Sequence, residues 1–197
     1  MDLHHLNVKL YLENSGQGDL AEVVPIFHRW IQEQNCEELL IDVADYRHVF
    51  AGPGVVLIGH QADYSIDNCD GRLGIRYNRK AILEGTNEYR LRQAVRAALV
   101  ACRRLETEQV LAESFRFNGK DIDLSVNDRL LAANTEETFN VVKPELSRFF
   151  EKLFAGSAHS MRRNPDPRRL FSVEVSSVRP FGSEQLLANI SAQNLFS

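Results

Sequence analysis

Five acidic and histidine side chains that could do chemistry fall within one short stretch of the chain. They are Asp42, Asp45, His48, His60 and Asp63. Carboxylates and imidazoles bind divalent metal ions, and a carboxylate or an imidazole can also act as a general acid or base. Residues that follow strands often line the ligand crevice of an open α/β sheet. The stretch is therefore a candidate catalytic site.

A structural role is the alternative interpretation of the same stretch. Asp42 would cap a loop, Asp45 would pair with Arg47 at the surface, and His48 would be solvated. Side chains alternate between the two faces of a strand, so His60 could point either way. Because the spacing matches no standard metal motif, we predict no bound metal, and His48 and His60 are the residues that would hold one.

Two pairs of arginines form a second candidate site, for an anionic ligand or an acidic partner. Arg92 and Arg96 lie four positions apart and share one face of a predicted helix. Arg162 and Arg163 stand in a basic segment with two prolines, residues 157–169, which is predicted to be a loop. The alternative is that both pairs belong to the solvated surface of the helix and of the loop.

Motifs with a specific chemical mechanism are missing from the chain. Gly52-Pro53-Gly54 precedes a strand instead of a helix, which favours a tight connection over a phosphate-binding loop. There is no G-x-S-x-G elbow, no Walker loop and no G-x-G-x-x-G. We therefore predict no cofactor.

Charge and cysteine content narrow the class of protein. The formal net charge of −4 argues against general nucleic-acid binding, which needs a basic surface. Cys36, Cys69 and Cys102 form no C-x-x-C pair, and such scattered thiols are typical of a reducing compartment. The first residues do not resemble a signal peptide, and no apolar run reaches the roughly 20 residues needed to span a bilayer. These features predict a cytoplasmic protein that does not enter a membrane.

Hydrophobic periodicity predicts the elements that must position these residues. Predicted strands cover Val8–Glu13, Glu38–Val43, Gly54–Asp67, Arg72–Lys80, Ser114–Phe117, Asp121–Val126 and Leu170–Val178. Predicted helices cover Pro25–Gln34, Thr86–Glu106 and a segment from Asn134 to Phe154, in which Pro144 predicts a kink or a break. The apolar stripe of the second helix includes Leu91, Val95 and Leu99. Asp70-Gly71 and Asn118-Gly119 are the predicted hairpin turns. The first strand, helix and next strand could form a crossover with parallel strands.

The fold class that follows is α/β or α+β, with a mixed β-sheet and about three main helices. We predict one domain over residues 1–179. Whether this domain consists of two similar β/α halves, 1–110 and 111–179, is left open. Residues 180–197 form a tail whose apolar side chains either fold back on the domain or dock on another subunit. We favour a homo-oligomer or a protein partner. The predicted function is non-catalytic binding or assembly; the alternative is a small-molecule enzyme or metal-dependent hydrolase that uses the Asp/His stretch.

Overall fold

One antiparallel β-sheet organises the whole chain. The computed structural model describes residues 1–13, 20–34, 36–111 and 115–192. Within these residues the sheet has eight strands in the order β2-β3-β4-β5-β1-β6-β8-β7. The strands are β1 (Leu6–Leu12), β2 (Leu40–Tyr46), β3 (Gly54–Gly59), β4 (Ala62–Asp67), β5 (Gly74–Arg79), β6 (Phe117–Val126), β7 (His159–Arg163) and β8 (Phe171–Ser177). The helices are α1 (Val23–Glu33), α2 (Asn87–Thr107), α3 (Glu136–Leu153) and α4 (Ser183–Ala192), with a short 3₁₀ turn at Leu20–Glu22.

The predicted combination of one sheet with about three main helices is confirmed, and the pairing of the strands adds to it. All ladders between the described strands are antiparallel. The predicted parallel crossover does not form a ladder, because β3, β4 and β5 lie between β1 and β2. Residues 1–110 and 111–179 contribute to the same sheet, in which β1 of the first segment pairs with β6 of the second.

The long helix α2 packs on the centre of the sheet. Thr86 caps its start, since the side chain accepts a hydrogen bond from the amide of Tyr89. The predicted stripe of Leu91, Val95 and Leu99 is fully buried. The helix contacts β1 and β5, and its alanines allow that close approach. Burial of this stripe is a main contribution to the hydrophobic core.

The segment after Pro180 folds back on its own domain as far as the structure describes it. Helix α4 packs against α2 and α3. Phe181, Leu186 and Ile190 are buried, so the first of the two predicted alternatives for these apolar residues is observed. Leu195 and Phe196 lie outside the described residues.

Three local predictions differ from the structure. The predicted strand Gly54–Asp67 is two strands, because the chain turns at His60 and Gln61. Asn118-Gly119 makes no hairpin: β6 runs through it, and Gly119 takes φ +71° with its Cα close to the backbone of Phe181. Part of the predicted loop 157–169 is strand β7. Helix α3 is continuous from Glu136 to Leu153, so Pro144 does not break it.

Candidate ligand-binding cleft

The face of the sheet opposite the helices is polar. Tyr77 identifies the face of the sheet that the helices cover, because its hydroxyl group lies 3.2 Å from Oε1 of Gln93 in α2. Val8 is the register partner of Tyr77 and shares its face. Since successive side chains alternate, Lys9 must point to the opposite face.

Strand register places charged side chains of this polar face next to one another. Lys9 of β1 is paired with Arg76 on one side and with Asp123 on the other. Asp123 is in turn opposite Glu174, and Glu174 is opposite Arg162. The order across five neighbouring strands is therefore Arg76, Lys9, Asp123, Glu174, Arg162. Five charged residues in one row make a surface suited to polar ligands.

Asp67 binds both cations at the first end of this row. Lys9 donates to Asp67 through Nζ at 2.6 Å, and both side chains are almost completely buried. The Nε atom of Arg76 donates to the other carboxylate oxygen, and the amide of Cys69 adds a further bond at 3.2 Å. Gly74 makes room for this arrangement, because a Cβ atom there would lie 3.0 Å from Cε of Lys9 and 2.5 Å from the carbonyl oxygen of Leu10.

Glu174 binds two arginines at the other end of the row. Arg162 donates to it at 2.7 Å, and Arg72 donates to its second oxygen. Arg72 also bonds Asp121 at 2.8 Å, and its guanidinium stacks on the ring of Tyr11 at 3.6 Å from the centroid. These contacts fix the positions of the guanidinium groups.

A cleft of about 940 Å³ lies over this row. Among its lining residues are five arginines, four carboxylates and several apolar side chains. They include Tyr11, Arg72, Arg76, Asp70, Asp123, Ser125, Glu136, Phe139, Met161, Arg162, Arg163, Arg169, Leu170 and Glu174. A volume of this size is at the upper end of the range for small-molecule sites, which combine apolar walls with a few convergent polar groups.

Asp123 differs from the other carboxylates of the cleft. Within the described residues no side chain donates a hydrogen bond to it: Nζ of Lys9 and Nε of Arg76 both bind Asp67. Burial raises the pKa of Asp123 to about 6; Arg76 and Lys9 oppose that shift, and Asp70 and Glu174 add to it. Burial and the charge of Asp123 also raise the pKa of Tyr11. The cleft therefore holds a carboxyl group that is free to accept a donor from a ligand.

The loop between β7 and β8, residues 164–170, forms a strap across the open side of the cleft. Its Arg169 reaches Asp70 in the turn between β4 and β5, with 3.2 Å between Nη1 and Oδ1. Strands β1 and β6 separate β5 from β8, so this contact spans the row. Asn134 holds the base of the strap through bonds to the carbonyl oxygens of Asn164 and Asp166. The strap supplies one wall of the cleft.

The predicted acidic and histidine stretch lies away from the cleft. Asp42 bonds its neighbour's amide in the edge strand β2, and His48 and His60 are exposed in turns. Arg47 bonds Asp45 and lowers the pKa of this carboxyl to about 2. Asp63 pairs with Lys80 at 2.7 Å. Across the described part of the chain, no group of three or more His, Cys, Asp or Glu side chains is placed to hold a metal ion.

The structure separates the two predicted arginine pairs. Arg162 and Arg163 line the cleft. Arg96 pairs with Glu37, and Arg92 lies over the ring of Tyr89 at 5.5 Å, so both belong to the helical side of the molecule. The two pairs therefore lie on different sides of the sheet, and only Arg162 and Arg163 can contact a ligand in the cleft.

The charged row on β1, β5, β6 and β8 was missed by the sequence reasoning. Its signal is present in the alternation of charged and apolar residues, as in Val8-Lys9-Leu10 and Asp121-Ile122-Asp123. This alternation predicts a strand with one solvated face. It carries no information on which strands become neighbours, and the row exists only through that pairing.

Comparisons with known proteins leave the site without a named relative. No family model matches the chain, and no curated protein or solved structure shows significant similarity to it. No helix in the described ranges has the length and apolar character to cross a membrane. Functional inference therefore depends on the geometry of the cleft.

Proposed function

We propose that the protein is a non-catalytic binding or assembly protein of the cytoplasm, and that its ligand is a small charged molecule held in the cleft. The observation that carries the proposal is the convergence of five arginines and the unpartnered carboxyl of Asp123 on one cavity. Guanidinium groups that are already fixed by carboxylates bind an anionic group with little loss of side-chain entropy. The three thiols, Cys36, Cys69 and Cys102, are unbridged, which suits a reducing compartment.

Thermal-shift measurements with small charged molecules test the proposal. The probes are inorganic phosphate, succinate, glutamate and glycine. At least one should raise the melting temperature of the wild type, since a ligand that binds the folded state stabilises it. The double variant Arg162→Glu/Arg169→Glu should lose the shift, because both side chains line the cleft.

The matched control is Arg92→Glu/Arg96→Glu, which makes the same charge change on the helical side. It should keep the wild-type shift. The proposal is overturned if no probe stabilises the wild type, or if both double variants lose the shift equally, because general charge attraction would then be the cause.

Self-association is the assembly part of the proposal, and a second copy of this chain is the proposed partner. Exposed apolar side chains gather around the edge strand β2 and the turn after it: Leu39, Ile41, Tyr46, Val49 and Phe50. Phe50 is 100% exposed. The backbone of Leu40 is already bonded through both N and O to the Gln34 side chain. We therefore propose contact through side chains and not through a continued sheet.

Light scattering measures the mass of the particle and tests this part. Ile41→Ser/Phe50→Ser should reduce the mass of the wild-type oligomer to that of the monomer. Leu130→Ser is the control, since Leu130 is equally exposed at 98% but lies in another loop. A wild type that is monomeric at high concentration contradicts self-association.

Catalysis is the second candidate function, on the specific observation that the pKa of Asp123 is raised to about 6. A carboxyl with such a pKa can exchange a proton near neutral pH. An enzyme would show turnover of a small-molecule substrate, and Asp123→Asn would abolish that turnover even at saturating substrate. The Asp42–Asp63 stretch stays an untested alternative, and its side chains do not share a cleft with Asp123.

A further inference from the structure

The most deeply placed free donor pair in the cleft belongs to Arg76. Its Nε atom binds Asp67, and no described residue accepts a bond from its two Nη atoms. The side chain is only 21% exposed. Arg163 is similarly buried, but it already donates to Glu136, Asn134 and Asn164. Arg76 is therefore the arginine of the cleft best placed to bind a carboxylate or phosphate through two parallel hydrogen bonds.

Asp123, in the same charged row, is the hydrogen-bond acceptor that has no donor among the described residues. Only β1 separates its strand from that of Arg76, so the two Cα atoms lie about 10 Å apart, at roughly 4.8 Å per strand spacing. Lys9 stands between them, but its side chain runs past Gly74 to Asp67. Arg76 and Asp123 line the cleft, and Lys9 is not among its lining residues. A cationic and an anionic binding group thus face one space of molecular size.

The charge balance of the cleft disfavours a ligand that is only an anion. Four carboxylates line it besides the five arginines: Asp70, Asp123, Glu136 and Glu174. Three of them have arginine partners, whereas Asp123 has none among the described residues. An anion at Arg76 would leave Asp123 desolvated and unpaired, which costs free energy. A ligand that also carries an ammonium group removes that cost.

Apolar side chains complete the wall of the cleft. Phe139, Met161 and Leu170 line it together with the ring of Tyr11. They offer a surface on which a hydrocarbon side chain of the ligand can pack next to the charged row. The cleft thus combines a group that binds an anion, a group that accepts bonds from an ammonium ion, and an apolar wall. These match the carboxylate, the ammonium group and the side chain of an amino acid or of a short peptide with free ends.

We propose that the cleft binds a zwitterionic ligand of the amino-acid or short-peptide class, with its carboxylate on Arg76 and its ammonium group on Asp123. This inference rests on the proposed binding function and names its ligand. The anion and the amine are recognised separately, so each can be blocked separately.

Three related peptides test the ligand class by isothermal titration. Leu-Leu carries both charges, N-acetyl-Leu-Leu lacks the ammonium group, and Leu-Leu amide lacks the carboxylate. Leu-Leu should bind at least about tenfold more tightly than either blocked form, since each lost charge-assisted bond costs that much or more. Far-UV circular dichroism checks that each variant is folded.

Two variants assign the groups. Asp123→Asn should weaken Leu-Leu about tenfold. It should not weaken N-acetyl-Leu-Leu, which has no ammonium group, and should strengthen its binding where the unpaired charge of Asp123 had opposed it. Arg76→Gln should weaken Leu-Leu and N-acetyl-Leu-Leu and leave Leu-Leu amide unchanged. If Arg76→Gln does not fold, the Asp123→Asn arm decides.

The outcomes separate this inference from the proposed function. Equal binding of Leu-Leu and N-acetyl-Leu-Leu overturns the zwitterion and keeps an anion site. Absence of binding by all three peptides, with a thermal shift from phosphate or succinate, overturns the ligand class alone. Absence of binding by the peptides and of a thermal shift with every probe overturns both.

Discussion

Two carboxylates on the same polar face show how strand pairing assigns different roles to the same residue type. Asp67 accepts bonds from Lys9, Arg76 and the amide of Cys69. Asp123 is the register neighbour of Lys9, yet it receives no bond from any described residue. The first carboxylate is satisfied and structural, and the second faces the cleft and is available to a ligand.

Removal of the charge of Asp67 should destabilise the protein. In Asp67→Asn the ammonium group of Lys9, which is 1% exposed, loses its counterion. Breaking a buried pair in this way costs about 3–5 kcal/mol. Urea unfolding measures the loss. Asp63→Asn on the same strand is the control; it breaks a partly exposed pair with Lys80 and should cost about 1 kcal/mol or less. Equal losses would contradict a special role for Asp67.

Asp123 should make stability depend on pH in the opposite sense to a paired carboxylate. Its pKa is about 6 in the folded protein, above the ordinary value of 3.8. The folded state therefore binds the proton more tightly, and the free energy of unfolding falls as pH rises from about 4 to about 6.

Asp123→Asn should remove this pH dependence. At pH 7 the variant should be more stable than the wild type by at most about 3 kcal/mol, and at pH 3 the difference should vanish. Lys9, Arg76, Asp70, Glu174 and Tyr11 are the charged and titratable groups that face Asp123. Thermal melts at both pH values measure the effect, and a variant less stable than the wild type at pH 7 would contradict it.

At the scale of elements, the sequence predicted best what one segment determines by itself. Helix α2 follows from its capping threonine and its apolar stripe, which ran through Leu91, Val95 and Leu99 as expected. The Asp70-Gly71 turn follows from local conformation, since Gly71 takes φ +70°. Errors arose where tertiary contacts override local signals: Asn118-Gly119 resembles a hairpin turn, but it lies within β6. The pairing of β6 with β1 is irregular there, between Phe117 and Ile122.

The candidate site could be predicted only in part, for the same reason. Arg162 and Arg163 were found because they are a dense basic pair in the sequence. Lys9, Arg76 and Asp123 are single charges in separate strands, and their meeting depends on the order β5-β1-β6. Such an order is fixed by contacts between distant segments, and no single segment contains it.

Truncation of Leu99 tests the packing of α2. Leu99 is completely buried, so Leu99→Ala removes buried methyl groups and leaves a cavity. The expected loss of stability is about 2–5 kcal/mol, measured by urea unfolding. Arg96→Ala, on the exposed face of the same helix, should change stability by less than about 0.5 kcal/mol. If Leu99→Ala had no effect, the stripe would not be part of the core.

At the scale of the whole molecule, α4 closes the helical layer and should be required for the monomer. The sequence left open whether the apolar residues after Pro180 pack on their own domain or on a second subunit. Leu186 and Ile190 are buried, and their helix α4 contacts both α2 and α3. Leu186→Ala should therefore lower the free energy of unfolding by about 2–5 kcal/mol. As long as the variant stays folded, its oligomeric mass should not change.

Thermal melting and light scattering on the same sample separate the two roles of α4. Gln185→Ala is the matched control, because Gln185 precedes Leu186 in α4 and is exposed; it should leave both quantities unchanged. A Leu186→Ala variant that keeps its melting temperature but loses mass would show that Leu186 serves an interface between copies. We expect the reverse, because a side chain that is fully buried in one chain has no surface left to offer a second.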